Sequence, residues 1–385
     1  MNQKKLKVVH LTSVHARYDN RILFKQCVSL SNHGFETTLI VADGHGNEIF
    51  KDNLNILDVG SKKGHLHRMS VVCYKIYRLA LKLEAQIYQI HDPELILVAY
   101  FLFKKGKKII YDIHEDYRTS ILQKKYIWKP ARRLIARIYD RIESFAIKRF
   151  TILLAEKYYK EFSSKGVTIL NYPIISNNDK DCNAPVSETS EHQSNNSKNE
   201  QIKLLYTGNV TEARGAFNHS KLVDLSDDIY VTFVGFCSGE LASRMLDSII
   251  RVSAIKIIGK DSYVPQTEIQ QIYLQNWTAG LALFPKTAHY ERKELTKFFE
   301  YMLNGIPIIC SDFPLWKEFV EKNECGFAVS PNNSAEVYKV IQRLFDDPLL
   351  RKKLGHNGKL MVTKYYNWGT QEKKLLAVYN SLTEV

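Results

Sequence analysis

No two of the six cysteines (27, 73, 182, 237, 310 and 325) form a Cys-x-x-Cys pair. Thiols scattered in this way give neither a zinc-binding set nor a disulfide framework, and they suit a reducing cytosol. Long hydrophobic runs are missing too. The longest, from Leu95 to Phe103, is about half of what a membrane span needs. Met1 to Lys7 is polar and leads straight into an apolar segment, so no signal peptide is expected. The first strand–helix unit lacks Gly-x-Gly-x-x-Gly, which argues against a dinucleotide cofactor. Acidic residues are scarce in one half only. Residues 1–175 carry 30 Lys and Arg against 16 Asp and Glu, a net +14, which leaves −1 for the rest of a chain whose formal charge is +13. Such a half suits a polyanion: a phospholipid surface, a lipid pyrophosphate or nucleic acid. A solvated Lys/Arg-rich surface has the same pattern. The remaining composition is ordinary for a globular protein, 45% hydrophobic and 25% charged, and 385 residues suffice for two domains.

Lys7 to Ser13 reads as a short apolar strand, Arg21 to Asn32 as a helix ended by His33-Gly34, and Thr37 to Ala42 as the next strand. This is a βαβ unit, so a parallel sheet is expected. The intervening loop carries His15, Arg17, Asp19 and Arg21. In open parallel sheets ligands gather beyond the strand C-termini, which makes this loop a candidate site. Asp19 or Asn20 also suits a helix cap, and both readings can hold. Met69 to Leu83 reads as a helix and Gln86 to Ile90 as a strand, with His91-Asp92-Pro93-Glu94 at its end. Leu95 to Phe103 reads as a buried helix. The strand Lys108 to Tyr111 runs into Asp112-Ile113-His114-Glu115-Asp116. Two polar clusters at adjacent strand ends point to a site. Arg132 to Arg149 is a basic helix with Leu134, Ile135, Ile138, Ile142, Phe145 and Ala146 on one side. The expectation is that this side faces the core. The sharper alternative is that the helix, with Tyr126, Ile127 and Trp128, touches a membrane. Ile152 to Ala155 is another strand, and Thr168 to Pro173 closes the half.

Ser176 to Gln201 is rich in Asn, Ser, Asp, Glu and Lys and is expected to be a mobile connector. Its Asp179-Lys180-Asp181 is read as tether, not as a metal site. Lys203 to Asn209 starts a second sheet, and Arg214-Gly215 opens a helix. Gly208 would let the backbone approach a ligand closely. Strands follow at Tyr230 to Gly235, Ala254 to Gly259 and Gly280 to Pro285, with a helix from Thr267 to Gln275 and Thr267 as its candidate cap. In Leu295 to Ser311, Phe298, Phe299, Met302 and Leu303 fall at helical spacing. Gly305 and Pro307 stop that helix, and Ile306, Ile308 and Ile309 begin a strand. A helix N-terminus carrying Lys297 and Glu300 suits a nucleotide diphosphate. The helix end and the Lys hold phosphate charge, and the Glu accepts from ribose hydroxyls. Alone, the stretch is also an ordinary amphipathic helix feeding a strand. Helices at Ser334 to Phe345, Pro348 to Leu354 and after Trp368 finish the chain; the last carries Leu375, Leu376, Val378, Tyr379 and Leu382.

Glu300, Met302, Gly305, Pro307, Ile308 and Ile309 make this segment similar to the donor-binding segment of retaining GT-B glycosyltransferases, family 4 in particular. The His-x-Arg-x-Asp-x-Arg loop, the His-Asp-Pro-Glu and Asp-x-His-Glu strand ends, and Asn171-Tyr172-Pro173 resemble a subgroup of the same family. The resemblance implies an α/β, GT-B fold of two doubly wound Rossmann-like domains facing a central cleft. It implies an acceptor-binding domain at 1–175, a linker at 176–201, a donor-binding domain at 202–365 and a C-terminal helix at 366–385 crossing back to the first domain. By the same resemblance, His114, Arg214 and Lys297 would be catalytic. Gly208, Asn209, Arg214, Glu294, Lys297 and Glu300 would bind the donor. His15, Arg17, Asp19, Arg21, Asp92, Glu115 and Asp116 would line the acceptor side. Two departures stand out. Arg292 occupies a position where the family often has Glu, and Asn209 one where Arg is common.

The function expected on this basis is a retaining, metal-independent hexosyltransferase with no cofactor. It would move sugar from a nucleotide diphosphate sugar to a glycan or polyprenyl-pyrophosphate-linked acceptor in bacterial surface-polysaccharide synthesis. The expected setting is the cytoplasm, with peripheral contact on the anionic inner face of the membrane and no nucleic-acid partner. Two alternatives remain open: a UDP-sugar 2-epimerase on the same fold, and a non-catalytic polyanion-binding scaffold.

Overall fold

The structure, a computed structural model, describes residues 5–114, 117, 121, 128–161, 163–175 and 201–383. Glu115, Asp116, Tyr126, Ile127 and the connector expected at 176–201, save Gln201, lie outside these residues. The chain divides into two compact units, Met1–Asn171 with Trp368–Val385, and Tyr172–Asn367.

The first unit is an eight-stranded sheet of β1 (Lys7–Leu11), β2 (Glu36–Val41), β3 (Glu48–Lys51), β4 (Leu54–Asp58), β5 (Ile87–Ile90), β6 (Lys108–Ile113), β7 (Thr151–Leu154) and β8 (Val167–Thr168). Their order is β3-β4-β2-β1-β5-β6-β7-β8. Every pairing is parallel except β3 with β4. β1, β5 and β6 are adjacent, so the loops after them converge at one end of the sheet. The helix after β1, α1 (20–32), starts as a π-helical stretch, Asn20–Cys27, and tightens in Val28–Asn32. The Asp19 side chain caps it, accepting from the N–H groups of Arg21 and Ile22. α2 (64–83) ends at Glu84 in the left-handed conformation, and α3 is Ile96–Lys104. α4 is Lys129–Arg149, with a proline in its first turn.

α2, α3 and α4 lie side by side, joined by the ring pairs Tyr77–Phe101 and Tyr100–Phe145. Beneath them is a core that includes Val9, Leu11, Tyr88, Ile90, Ile109 and Tyr111. A second core gathers Val8, Leu30, Ile87, Ile110 and Leu153 with Trp368, Leu375, Val378 and Tyr379. Those last four come from the closing helix, Trp368–Ser381, which therefore belongs to the first unit. The expected core-facing stripe of α4 needs correction. Ala136 and Ala146 are the buried side chains, whereas Leu134, Ile135, Ile138 and Ile142 are 58%, 42%, 48% and 45% exposed. The helix rests on these small residues together with the half-buried Phe145 and Ile147, and its other large aliphatic side chains, Leu134, Ile135, Ile138 and Ile142, point to solvent. Leu97, Phe101 and Phe103 of α3 are exposed as well, so that helix is only half buried.

The second unit is a six-stranded, all-parallel sheet in the order β11-β10-β9-β12-β13-β14. The strands are β9 (Ile202–Thr207), β10 (Ile229–Cys237), β11 (Ile255–Lys260), β12 (Ala279–Ala282), β13 (Ile308–Ser311) and β14 (Gly326–Val329). Around them run α5 (Ala216–Ser220), α6 (Gly239–Asp247), α7 (Gln266–Tyr273), α8 (Thr296–Leu303), α9 (Pro314–Lys322), α10 (Ser334–Asp346) and α11 (Pro348–Lys364). Thr267 is not the cap of α7. The helix already includes Gln266, and Pro265 holds the cap position. A short 3₁₀ turn, Glu212–Arg214, precedes α5. β9, β12 and β13 are central, so the loop after β9 and the start of α8 fall in the middle of the sheet.

Candidate active site

In the first unit, the ends of β1, β5 and β6 bring together His15, His91, Asp92, Asp112 and His114. Asp92 is fully buried and anchors the first loop, accepting from the Thr12 hydroxyl at 2.8 Å and the Ser13 N–H at 2.6 Å. His15 lies between two carboxylates, with Asp19 Oδ2 3.5 Å from Nδ1 and Asp92 Oδ1 3.3 Å from Nε2. Burial alone would depress the His15 pKa, but the two carboxylates override it and lift it to about 10. Asp19 is drawn the other way. Burial would raise it, yet His15 and the Ile22 N–H bring it down to about 2. The ring pair His15 Nε2···His114 Nε2 is 3.0 Å.

Below this pair, Asp112 is gripped by Arg21, which donates from Nη2 at 2.7 Å to Oδ1 and from Nε at 3.0 Å to Oδ2. Gln26 donates to Oδ2 at 2.8 Å. Despite burial, these charges and donors hold the Asp112 carboxyl well below its ordinary range. Among the described residues, His91 Nδ1, Asp112 Oδ2 and His114 Nδ1 are the three groups placed to share a metal ion, with their atoms within 4.8 Å of one another.

In the second unit, β9 is followed by Gly208 at φ +93 and then by the Thr211–Gly215 turn. A side chain at Gly215, φ +79, would meet the Leu283 carbonyl oxygen at 2.1 Å, so only glycine lets this turn abut the end of β12. That contact sets Arg214 near Tyr290, whose hydroxyl accepts from Arg214 Nε at 3.4 Å. Lys297 is in the first turn of α8 and only 7% exposed. Its ammonium has no hydrogen-bond partner and lies over the Tyr206 ring at 3.5 Å and the Phe284 ring at 5.0 Å. Burial, aided by the Arg214 charge and opposed by Glu300, lowers its pKa well below the ordinary value. No side chain caps the start of α8. Glu300, one turn on, accepts from the Tyr273 hydroxyl at 2.7 Å, and that hydroxyl is 3.0 Å from Thr207 Oγ1.

The structure thus groups His15, Asp19, Asp92, Arg21 and His114 in one unit, and Gly208, Arg214, Lys297 and Glu300 in the other. Arg17 stands apart. It pairs with Asp43 at 2.7 Å and Glu48 at 3.1 Å and ties β3 to the rest of the sheet. Asn209 is exposed, and its carbonyl accepts from Tyr206. Glu294 is half-buried in the segment before α8, and Arg292 is exposed. Sequence reasoning missed Tyr273 and Tyr206, and also the buried set His10, Gln26, Gln89 and Tyr379. The signal available was a polar residue inside an apolar strand, as at His10 and Gln89.

Residues 187–361 match the family model described as glycosyl transferases group 1. An MMP alpha-(1->4)-mannosyltransferase of Mycolicibacterium hassiacum is 32% identical over 81 residues, which is 21% of this chain and 20% of that protein. The chain therefore matches about a fifth of the length of this curated relative. Among solved structures, sucrose-phosphate synthase from Thermosynechococcus elongatus superposes with a TM-score of 0.70 at 12% identity, covering 99% of this chain and 100% of that one. Anabaena HepE in complex with UDP and glucose gives 0.68 at 12% identity, covering 98% and 100%. A glycosyltransferase from Rickettsia africae gives 0.68 at 15%, covering 99% of each. The fold is GT-B, two Rossmann-like units each built on a parallel sheet. The match over residues 187–361 points to glycosyl transfer, and the solved structures bear on the fold.

Proposed function

We propose that this chain moves a hexose-type sugar from a nucleotide diphosphate sugar to a glycan or polyprenyl-pyrophosphate-linked acceptor, with retention of the anomeric configuration. Lys297 carries the reading. A buried ammonium resting on aromatic rings, without a hydrogen-bond partner, at an uncapped helix start and beside Arg214 calls for an anion. A diphosphate supplies that charge, and Glu300, held by Tyr273, is oriented to accept from the ribose hydroxyls.

The chemistry follows from where charge develops. As the bond from sugar to phosphate lengthens, negative charge gathers on the diphosphate. Arg214, Lys297 and the α8 N–H groups stabilise it more in the transition state than in the bound donor. These cations take the part a metal plays in other transferases, so the diphosphate needs no divalent ion. With departure on the same face as attack, the leaving phosphate accepts the acceptor proton. By the family resemblance, His114, which meets His15 at 3.0 Å and faces Asp112, is the residue assigned to the sugar.

α4 supports a membrane-side acceptor. Its exposed Leu134, Ile135, Ile138 and Ile142 are interleaved with exposed Arg133, Arg137 and Arg141, which suits an anionic lipid surface. This fits peripheral attachment at the inner face of the cytoplasmic membrane and a role in surface-polysaccharide synthesis.

The deciding experiment measures nucleoside diphosphate released from a panel of UDP- and GDP-sugars, with and without lipid-linked and free glycan acceptors. Release is expected only with acceptor, to persist in EDTA, and to fall by about 100-fold or more in Lys297→Met, since a charge-assisted contact is worth about 1.5–3 kcal/mol in binding alone. No turnover with any donor, or strict loss in EDTA, would refute the reading. Isomerised donor in the absence of acceptor would replace transfer with 2-epimerisation.

A further inference from the structure

A ring of buried hydrogen bonds under His114 is one cation short. Asp112, as a carboxylate, only accepts, so Gln26 turns its NH₂ towards it and its carbonyl towards Gln89. Gln89 therefore donates to Gln26 and presents its own carbonyl to Tyr379, which spends its single proton there at 2.6 Å. The Tyr379 oxygen can then only accept from His10 Nε2 at 3.3 Å. A neutral His10 protonated at Nε2 accepts at Nδ1, 3.0 Å from His91 Nε2, which puts the His91 proton on Nε2. The last link fails. His91 Nδ1, now a bare lone pair, faces Asp112 Oδ2 at 3.3 Å. Reversing both histidine tautomers only moves the gap to Tyr379 and His10.

A second observation locates the missing charge. His114 Nδ1 points at the same Asp112 oxygen from 3.5 Å. The Nδ1 atoms of His91 and His114 are both buried and both lack a hydrogen-bond partner. Two imidazole nitrogens about 2.0–2.1 Å and a carboxylate oxygen about 2.0–2.2 Å from one ion stand roughly 3.3–3.5 Å apart along the edges of a tetrahedron. The two nitrogen–oxygen separations fall in that range. The surrounding charge also leaves room for a cation. Four carboxylates, Asp19, Asp92, Glu94 and Asp112, gather here against three cationic groups, Arg21 on Asp112, Arg68 on Glu94 at 2.7 Å and His15 between Asp19 and Asp92, which leaves one negative charge over.

We propose that His91 Nδ1, Asp112 Oδ2 and His114 Nδ1 form a seat for one divalent ion of the zinc class, three protein ligands with a fourth position left to water. Two imidazoles and a carboxylate select zinc or cobalt over magnesium or calcium. The ring supplies the outer support that such sites use, since His91 Nε2–H donates to His10 and Gln26 donates to the liganding carboxylate. Nothing in the transfer proposed above draws on this ion.

Cobalt titrated into the EDTA-treated full chain reports the geometry directly. The expected result is one tetrahedral-type visible absorption band that saturates at one ion per chain, is displaced by zinc and is untouched by excess magnesium. His91→Gln and His114→Gln, each checked for folding by circular dichroism, should weaken cobalt binding about 100-fold or more, at or beyond the upper end of what losing a supporting partner alone costs. X-ray absorption of the zinc-loaded wild type should show two imidazole nitrogens and keeps the proposal testable should either variant misfold. Absence of the band, binding that neither variant weakens, or a zinc shell without two imidazoles would overturn it. The chain has 12 histidines, so the variants also separate this seat from surface binding.

Discussion

Lys297 pulls stability and function in opposite directions. Burial, with Arg214 alongside, depresses its folded pKa below the ordinary 10.5, so the unfolded chain keeps the proton to higher pH than the folded one. Stability should therefore rise with pH from the depressed value up to about 10.5, the unfolded value. Lys297→Met removes the penalty and fills the same space. The free variant is expected to be more stable than wild type by about 1–3 kcal/mol at pH 7, with the gap closing towards pH 10.5. Denaturant unfolding at a series of pH values measures this, and a variant less stable than wild type at pH 7 would contradict it. Lys297, Arg214, Glu300 and the charged loops after β1, β5 and β6 could be picked out in the sequence, because polar residues at strand ends stand out against apolar strands. Tyr273 could not. Its task is to donate to Glu300 from a different helix, and only folding reveals that pairing. His10, Gln26, Gln89 and Tyr379 escaped for the same reason. Each is a single polar group inside an apolar element, and what matters is that four elements bring them together.

At the scale of elements, α4 shows where pattern reading stops. Spacing reveals that a helix has an apolar side, but not whether anything covers it. Here the covered side belongs to Ala136 and Ala146, with Phe145 and Ile147 beside them. Replacing Leu134 and Ile138 together with Gln separates the two possibilities. In a core, each loss of a large aliphatic group costs about 2–5 kcal/mol. On an exposed stripe the pair should cost less than about 1 kcal/mol. The same variant should lose most of its sedimentation with vesicles of mixed phosphatidylglycerol and phosphatidylcholine, and wild-type binding should fall as salt rises. A stability loss above about 3 kcal/mol, or unchanged vesicle binding, would put the stripe back in a core role. α1 and most of the parallel strands were legible to within two residues because burial and periodicity agree there, but β4 (Leu54–Asp58) escaped and the strand expected at Gly280 to Pro285 stops at Ala282. The antiparallel β3 was not legible either, being a four-residue edge strand with half its side chains in solvent.

At the scale of the molecule, the sequence order of the two units is broken once, by the closing helix. Trp368, Leu375, Val378 and Tyr379 are buried with β1, β5, β6 and β7 side chains of the first unit, although 196 residues of the second, Tyr172–Asn367, come between. Burying side chains of this size contributes about 1.5–3 kcal/mol each, so four of them approach the whole stability of a typical domain. Tyr379 adds a link in the ring that reaches Asp112, and losing it leaves Gln89 without its donor. Truncation after Asn367 should therefore unfold the first unit or lower its melting temperature by ten degrees or more, roughly the effect of a few kcal/mol in a domain of this size. The second unit, whose core is its own, should melt near its wild-type temperature. Nucleoside diphosphate then tells the two apart. At about 100 times its Kd it adds about 2.7 kcal/mol to whatever it binds, and it should move only the later, second-unit transition in scanning calorimetry of the truncated chain. If the truncated chain kept a single transition at the wild-type temperature, the closing helix would be an accessory of the first unit. If the ligand moved the first-unit transition instead, the diphosphate would not be held by Arg214 and Lys297.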